Sequence, residues 1–200
     1  RWRGRAALHL CHPARAPRGE MTTILLLTGQ IGSGKSTVAA RVVALAKERG
    51  LRCDGLLCPA RLDESGRKVG IDGLRVGTGE RRPLADRDLS QPGLRCGIWR
   101  FEPGAMEWML ATLMDAIQQR PDVLVVDEIG PMELLENRGL APVIPELKAG
   151  KVPLAIVLVR QGFLAALMER LAGCNLKVYE AAPVSRDALP DEIAREHLSR

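Results

Sequence analysis

A chain of 200 residues with 46% hydrophobic and 26% charged residues is long enough to bury a sizeable core. Its net charge of +5 is concentrated at one end: Arg1, Arg3, Arg5, Arg15 and Arg18 against Glu20 give residues 1–20 a balance of +4, leaving +1 for residues 21–200. A nearly neutral body with 3% aromatics lacks both the field and the stacking surfaces that nucleic acid needs, and no apolar run nears the ~20 residues of a membrane span, so neither partner is expected.

Residues 1–20, rich in Arg, Ala and Pro, read as a disordered extension upstream of a start at Met21; an Arg-rich organellar transit peptide is the alternative. His9, Cys11 and His12 within it are read as an incidental cluster, because a zinc site needs four ligands on a fixed frame. Residues 21–200 are expected to form a single domain. The five cysteines make no CxxC pair, which predicts reduced, mostly buried thiols in a cytoplasmic protein.

Ile24-Leu25-Leu26-Leu27 is a continuous apolar run bounded by Thr28-Gly29, as expected of a strand buried on both faces. Val38, Ala39, Val42, Val43 and Ala46 then recur at helical spacing, and Gly50 supplies a stop. Residues 51–101 change character. Short apolar pieces are broken by Ser65-Gly66, Gly70, Gly73, Gly77 and Gly79, which predicts antiparallel hairpins built from segments 54–58, 67–74 and 94–101.

Pro103 suits the first turn of a helix whose apolar stripe is Met106, Met109, Leu110, Leu113, Met114 and Ile117, with the methionines read as core. Val123–Val126 is a second buried strand, ending in Asp127-Glu128, and Leu154–Val159 a third, ending at Arg160. Helices are expected over 139–149 and around Leu164–Leu171, and a last short strand over Lys177–Glu180. This alternation predicts an α/β fold of three layers around a mainly parallel central sheet, with the antiparallel hairpins as an insertion.

The segment Gly29-Gln30-Ile31-Gly32-Ser33-Gly34-Lys35-Ser36, followed by Thr37, matches G-x-x-x-x-G-K-[ST] between that first strand and helix, the context in which the pattern is a phosphate-binding loop. Glycines let the backbone wrap phosphates with its N–H groups turned inward, and the helix adds its positive end. Lys35 neutralises the β- and γ-phosphates, and the Ser36 hydroxyl suits Mg²⁺.

Binding alone is not hydrolysis. Asp127, at the C-terminal end of its strand, is placed to hold Mg²⁺ with Ser36, and Glu128 to orient or deprotonate a water. Glu133 is left between that water network and a structural salt bridge.

Asp127-Glu-Ile-Gly-Pro-Met-Glu-Leu134, with the phosphate loop, resembles the small nucleoside-triphosphatase family of thermophiles, which has a "cancer-related" member in animals. Gly55-Leu-Leu-Cys-Pro59, Gly66-Arg-Lys-Val-Gly70-Ile-Asp72, Thr78-Gly-Glu-Arg81 and Ser185–Ile193 extend the resemblance over nearly all of 22–193. It implies a P-loop NTPase fold, a catalytic Glu beside the metal-binding Asp, and Mg²⁺-dependent removal of the γ-phosphate from ATP, GTP, CTP or UTP.

The resemblance also implies that Arg160 senses the γ-phosphate and that Arg186 lies where the base is seated. It does not place Arg61, because the family's Glu-x-Arg reads Ala60-Arg61-Leu62-Asp63 here. No Asn-Lys-x-Asp guanine-reading motif occurs, in keeping with broad base tolerance. Two other readings stay open: a nucleotide or small-molecule kinase using the same loop, and a nucleotide-dependent adapter whose 51–101 region docks a partner enzyme. The sequence names no protein partner.

Overall fold

The computed structural model describes residues 22–198; the basic extension and its His9–Cys11–His12 cluster lie outside the described residues. In chain order the elements are β1 (Thr23–Thr28), α1 (Lys35–Glu48), β2 (Cys53–Leu57), β3 (Ala60–Leu62), β4 (Lys68–Arg75), β5 (Arg81–Asp86), β6 (Leu94–Cys96) and β7 (Trp99–Phe101). They continue with α2 (Ala105–Gln118), β8 (Val123–Ile129), α3 (Pro131–Leu134), α4 (Val143–Lys148), β9 (Leu154–Val159), α5 (Leu164–Arg170), β10 (Asn175–Glu180) and α6 (Leu189–His197). A 3-10 turn, Gln161–Phe163, joins β9 to α5.

All the described strands belong to one sheet, in the order β10-β1-β9-β8-β2-β4-β5-β7-β6, with β3 paired to β4. The first five strands of that order are mutually parallel and the remainder antiparallel. Alternation along the central strands feeds two cores. Ile24, Leu26, Leu124, Val126, Ala155 and Val157 join α2, α4 and α5 on one face. Leu25, Leu27, Val123, Val125, Ile156 and Leu158 join α1 and α6 on the other. Runs that must bury both faces carry no polar residue until the strand ends, which is why they read as continuous.

Three expectations need correction. Segment 54–58 is not simply part of a hairpin: β2 pairs in parallel with β8, from Cys53 opposite Val123 to Leu56 opposite Val126, and antiparallel only with β4. Gly55 disguised it, because a glycine inside a strand reads as a turn. Here it has φ 114°, and a Cβ would collide with the backbone of Val125. Pro103 lies before α2 rather than in its first turn; Gly104, with φ 73°, precedes the helix. Of the four described cysteines, all unpaired, only Cys53 is buried; Cys58, Cys96 and Cys174 are half-buried.

Met109 of α2 is buried and Met106 packs at the edge of the core, whereas Met114 takes no part in it. Further strands, β3 and β5, complete the insertion. Ion pairs hold much of it in place of apolar burial. Arg75 at the end of β4 bridges Asp54 of β2 at 2.8 Å and Asp115 of α2 at 2.6 Å. Arg100, 3% exposed, ties Asp86 to Glu102.

Candidate active site

The phosphate loop is residues 29–34, between β1 and α1, at the C-terminal edge of the parallel sheet. Its glycines are forced. Gly29 has φ 144°, and a Cβ there would stand 2.5 Å from the Ala181 carbonyl oxygen and 2.6 Å from Ser33 Oγ. Gly34, at φ 98°, turns the chain into the helix. Gln30 and Ile31 are exposed at the loop's tip, Ile31 by 82%, so they contribute backbone rather than side chain. Thr37 is also exposed, on the first turn of α1.

Lys35 is 7% exposed and folds back into the loop, its Nζ donating to the carbonyls of Gly29 at 3.0 Å and Gln30 at 3.1 Å. Ser36, one residue on, places its hydroxyl against the carboxylate of Asp127. Loop and strand end therefore converge on one place.

Asp127 is 3% exposed. Burial raises its carboxyl from 3.8 to about 6, against the opposing pull of the Cys58 N–H and Ser36 hydroxyl donors and of Lys35. A buried carboxylate with too little compensating charge suits a cation, and the donors offered, Asp127 and Ser36, are both hard oxygens. Among the described residues no group of three or more His, Cys, Asp and Glu stands ready to enclose a metal. A cation held there would draw its remaining ligands from outside these side chains.

Glu128 faces a different partner. Its Oε1 accepts a 2.6 Å hydrogen bond from Arg160 Nε, at the end of β9. The pairing of β8 with β9 slips between Val126 opposite Val157 and Ile129 opposite Val159, so β8 uses one residue more than β9. This irregularity falls on Asp127-Glu128 and re-aims side chains that strict alternation would place otherwise. Because β9 lies between β1 and β8, Arg160 stands between the phosphate loop and the acid pair.

Arg186 follows β10, and its side chain lies over the phosphate loop: a Cβ on Gly34 would be 3.2 Å from its Cδ. Its Nε contacts Asp187 at 3.3 Å.

Two sequence expectations are resolved differently. Glu133 makes no salt bridge among the described residues. It is buried and accepts the Gly130 N–H at 2.9 Å and the Leu140 N–H at 3.1 Å, tying down the loop that leaves β8. Arg61 is engaged with Asp72 at 2.9 Å, its guanidinium lying over Gly70.

The residue that sequence reasoning passed over is Cys58. Its N–H donates to Asp127 Oδ2 at 2.9 Å, and its thiol donates to the Asp127 carbonyl oxygen at 2.9 Å. Burial, then the charges of Asp127 and Glu128, hold the thiol well above the usual cysteine range, so it stays a donor. The signal was a Cys-Pro step directly after a buried run. A cavity of about 370 Å³ lies away from all this, at the N-terminal ends of β2 and β8, lined by Arg52, Asp54, Arg75 and Thr78 among others. Its Asp54 and Arg75 already satisfy each other, so it reads as structure.

A phosphate loop opening a helix, an acid pair on the strand two places away and a parallel sheet between two helical layers define a P-loop nucleotide-binding α/β protein. A family model described as NTPase matches residues 24–194. The chain belongs to that family. It is 35% identical over 174 residues to the nucleoside-triphosphatase THEP1 of Methanopyrus kandleri, covering 87% of this chain and 94% of the relative. With the nucleoside-triphosphatase THEP1 of Ignicoccus hospitalis the identity is 42% over 110 residues, 55% of this chain and 60% of that relative. The solution structure of a human cancer-related nucleoside triphosphatase superposes with a TM-score of 0.67 at 25% identity, covering 90% of this chain and all of that one.

Proposed function

We propose that this protein hydrolyses nucleoside triphosphates to the diphosphate and inorganic phosphate, with Mg²⁺ and little choice of base. The observation that carries the reading is the convergence of Lys35, Ser36, Asp127 and the Glu128–Arg160 pair at one sheet edge. Membership of the NTPase family, with relatives named nucleoside-triphosphatase, supports it.

In this reading the loop amides and the positive end of α1 cradle the phosphates, and Lys35 leaves its two carbonyl partners to neutralise them. Ser36 and Asp127 would hold Mg²⁺, which supplies charge neutralisation across the β- and γ-phosphates. Glu128 positions the attacking water and accepts its proton. Oε1 is fixed by Arg160, and Oε2 has no partner among the described residues. Arg160 uses only Nε in that pair, leaving its terminal nitrogens for the charge that develops on the phosphoryl oxygens. Arg186, lying over Gly34, borders the nucleoside end.

The test is phosphate release by purified protein with Mg²⁺ and each of ATP, GTP, CTP and UTP, with no second substrate. Release with all four supports the reading. Release only with an added acceptor or protein partner would instead indicate a kinase or an adapter.

A further inference from the structure

The β3–β4 hairpin runs beyond the parallel sheet. Leu57 of β2 is opposite Leu74, but pairing continues through Asp72, whose N–H donates to the Pro59 carbonyl, to Leu62 opposite Lys68. Five residues separate Leu57 from Leu62, so the hairpin stands on the order of 15 Å past the end of β2. That is the edge that carries the phosphate loop and the acid pair, and the hairpin walls it on one side.

Lys68 is on this wall. Its Nζ lies 4.8 Å from the centroid of the Trp99 ring, a ring that Arg87 also approaches at 5.6 Å. Among the described residues its Nζ has neither a hydrogen bond nor a salt bridge. Burial holds its ammonium below the ordinary lysine range, although the charges of Glu128 and Asp127 pull it the other way. The residue as a whole is exposed, and its ammonium is near enough to feel both site acids while bonded to neither. A cation over an indole face is held more weakly than one hydrogen-bonded to a phosphate oxygen.

Strand order gives the direction of approach. Along the edge come Arg186 after β10, the phosphate loop after β1, Arg160 after β9, the acid pair on β8, and then the hairpin beyond β2. Lys35 and Lys68 therefore flank the acid pair from opposite sides, with the nucleoside end on the Lys35 side. Resting on the hydrolase reading above, we propose that Lys68 contacts the terminal phosphoryl group of the bound triphosphate from the side opposite Lys35. The insertion thereby makes the site selective for triphosphate over diphosphate. On binding, Lys68 leaves Trp99 for a phosphate oxygen that a diphosphate does not present.

The experiment is calorimetric titration of the full chain, in Mg²⁺, with a non-hydrolysable ATP analogue and with ADP. It compares wild type with Lys68→Gln, Lys68→Arg and Arg67→Gln, the last removing an exposed neighbouring cation that is paired with Asp63. Lys68→Gln should weaken the triphosphate analogue by about tenfold or more and ADP by less than about twofold, as loss of one charged hydrogen bond predicts. Lys68→Arg should restore most of the difference, and Arg67→Gln should match wild type. Unchanged analogue affinity in Lys68→Gln, or equal losses for both nucleotides, overturns the inference while leaving the hydrolase reading intact. Wild type that binds neither nucleotide overturns both.

Discussion

Replacing Asp127 by Asn should stabilise the metal-free protein while abolishing its activity. The carboxyl is 3% exposed, and burial raises it from 3.8 to about 6. The folded chain thus holds this proton more tightly than the unfolded one. Its contribution is most favourable below pH 3.8 and is lost as pH climbs through about 6. At about 1.4 kcal/mol per pH unit, ionised Asp127 costs about 3 kcal/mol at neutral pH. Asn removes the charge and keeps an oxygen for the Cys58 N–H.

For a domain of this size that gain corresponds to a rise in melting temperature of about 6–12 °C. The assay is thermal unfolding in chelator at about pH 7.5 and again at about pH 4.5, where the advantage should shrink because wild type is then largely protonated. Mg²⁺ with a non-hydrolysable triphosphate should raise the wild-type transition and leave the variant's in place. A variant that melts at or below wild type at the higher pH without metal would refute the assignment of Asp127 as a buried charge awaiting a cation.

Glu128→Gln should retain nucleotide binding and lower turnover by ~10²–10⁴-fold, read as phosphate release beside calorimetric affinity. Arg160→Ala should reduce turnover by ~10³-fold or more, since it removes both the charge at the phosphoryl group and the brace on Glu128; unchanged turnover would remove it from the mechanism. Glu133→Ala leaves the buried N–H groups of Gly130 and Leu140 without an acceptor and should destabilise by about 1–3 kcal/mol for each, measured by denaturant unfolding. Glu133→Gln, which keeps an acceptor, should lose less. Gly29→Ala should abolish nucleotide binding, because its Cβ would strike the Ala181 carbonyl and Ser33.

The amino-acid sequence by itself determined the parts governed by local rules. A strand buried on both faces is a run of apolar residues, so β1, β8 and β9 were legible within a residue or two. The phosphate loop was legible because wrapping a phosphate demands glycines at set spacing and then a lysine and hydroxyl on one helix turn. Asp127-Glu128 could be read as a pair because it ends such a run. What the tertiary structure decided is everything set by contacts distant along the chain. The parallel pairing of β2 depended on Gly55 meeting Val125, 70 residues away. The bracing of Glu128 depended on β9 lying between β1 and β8, and the placing of Cys58 and Lys68 on how far the insertion passes the sheet edge. Periodicity and motif report a residue's immediate neighbours. Which carboxylate meets which cation across the sheet follows only from strand order and register.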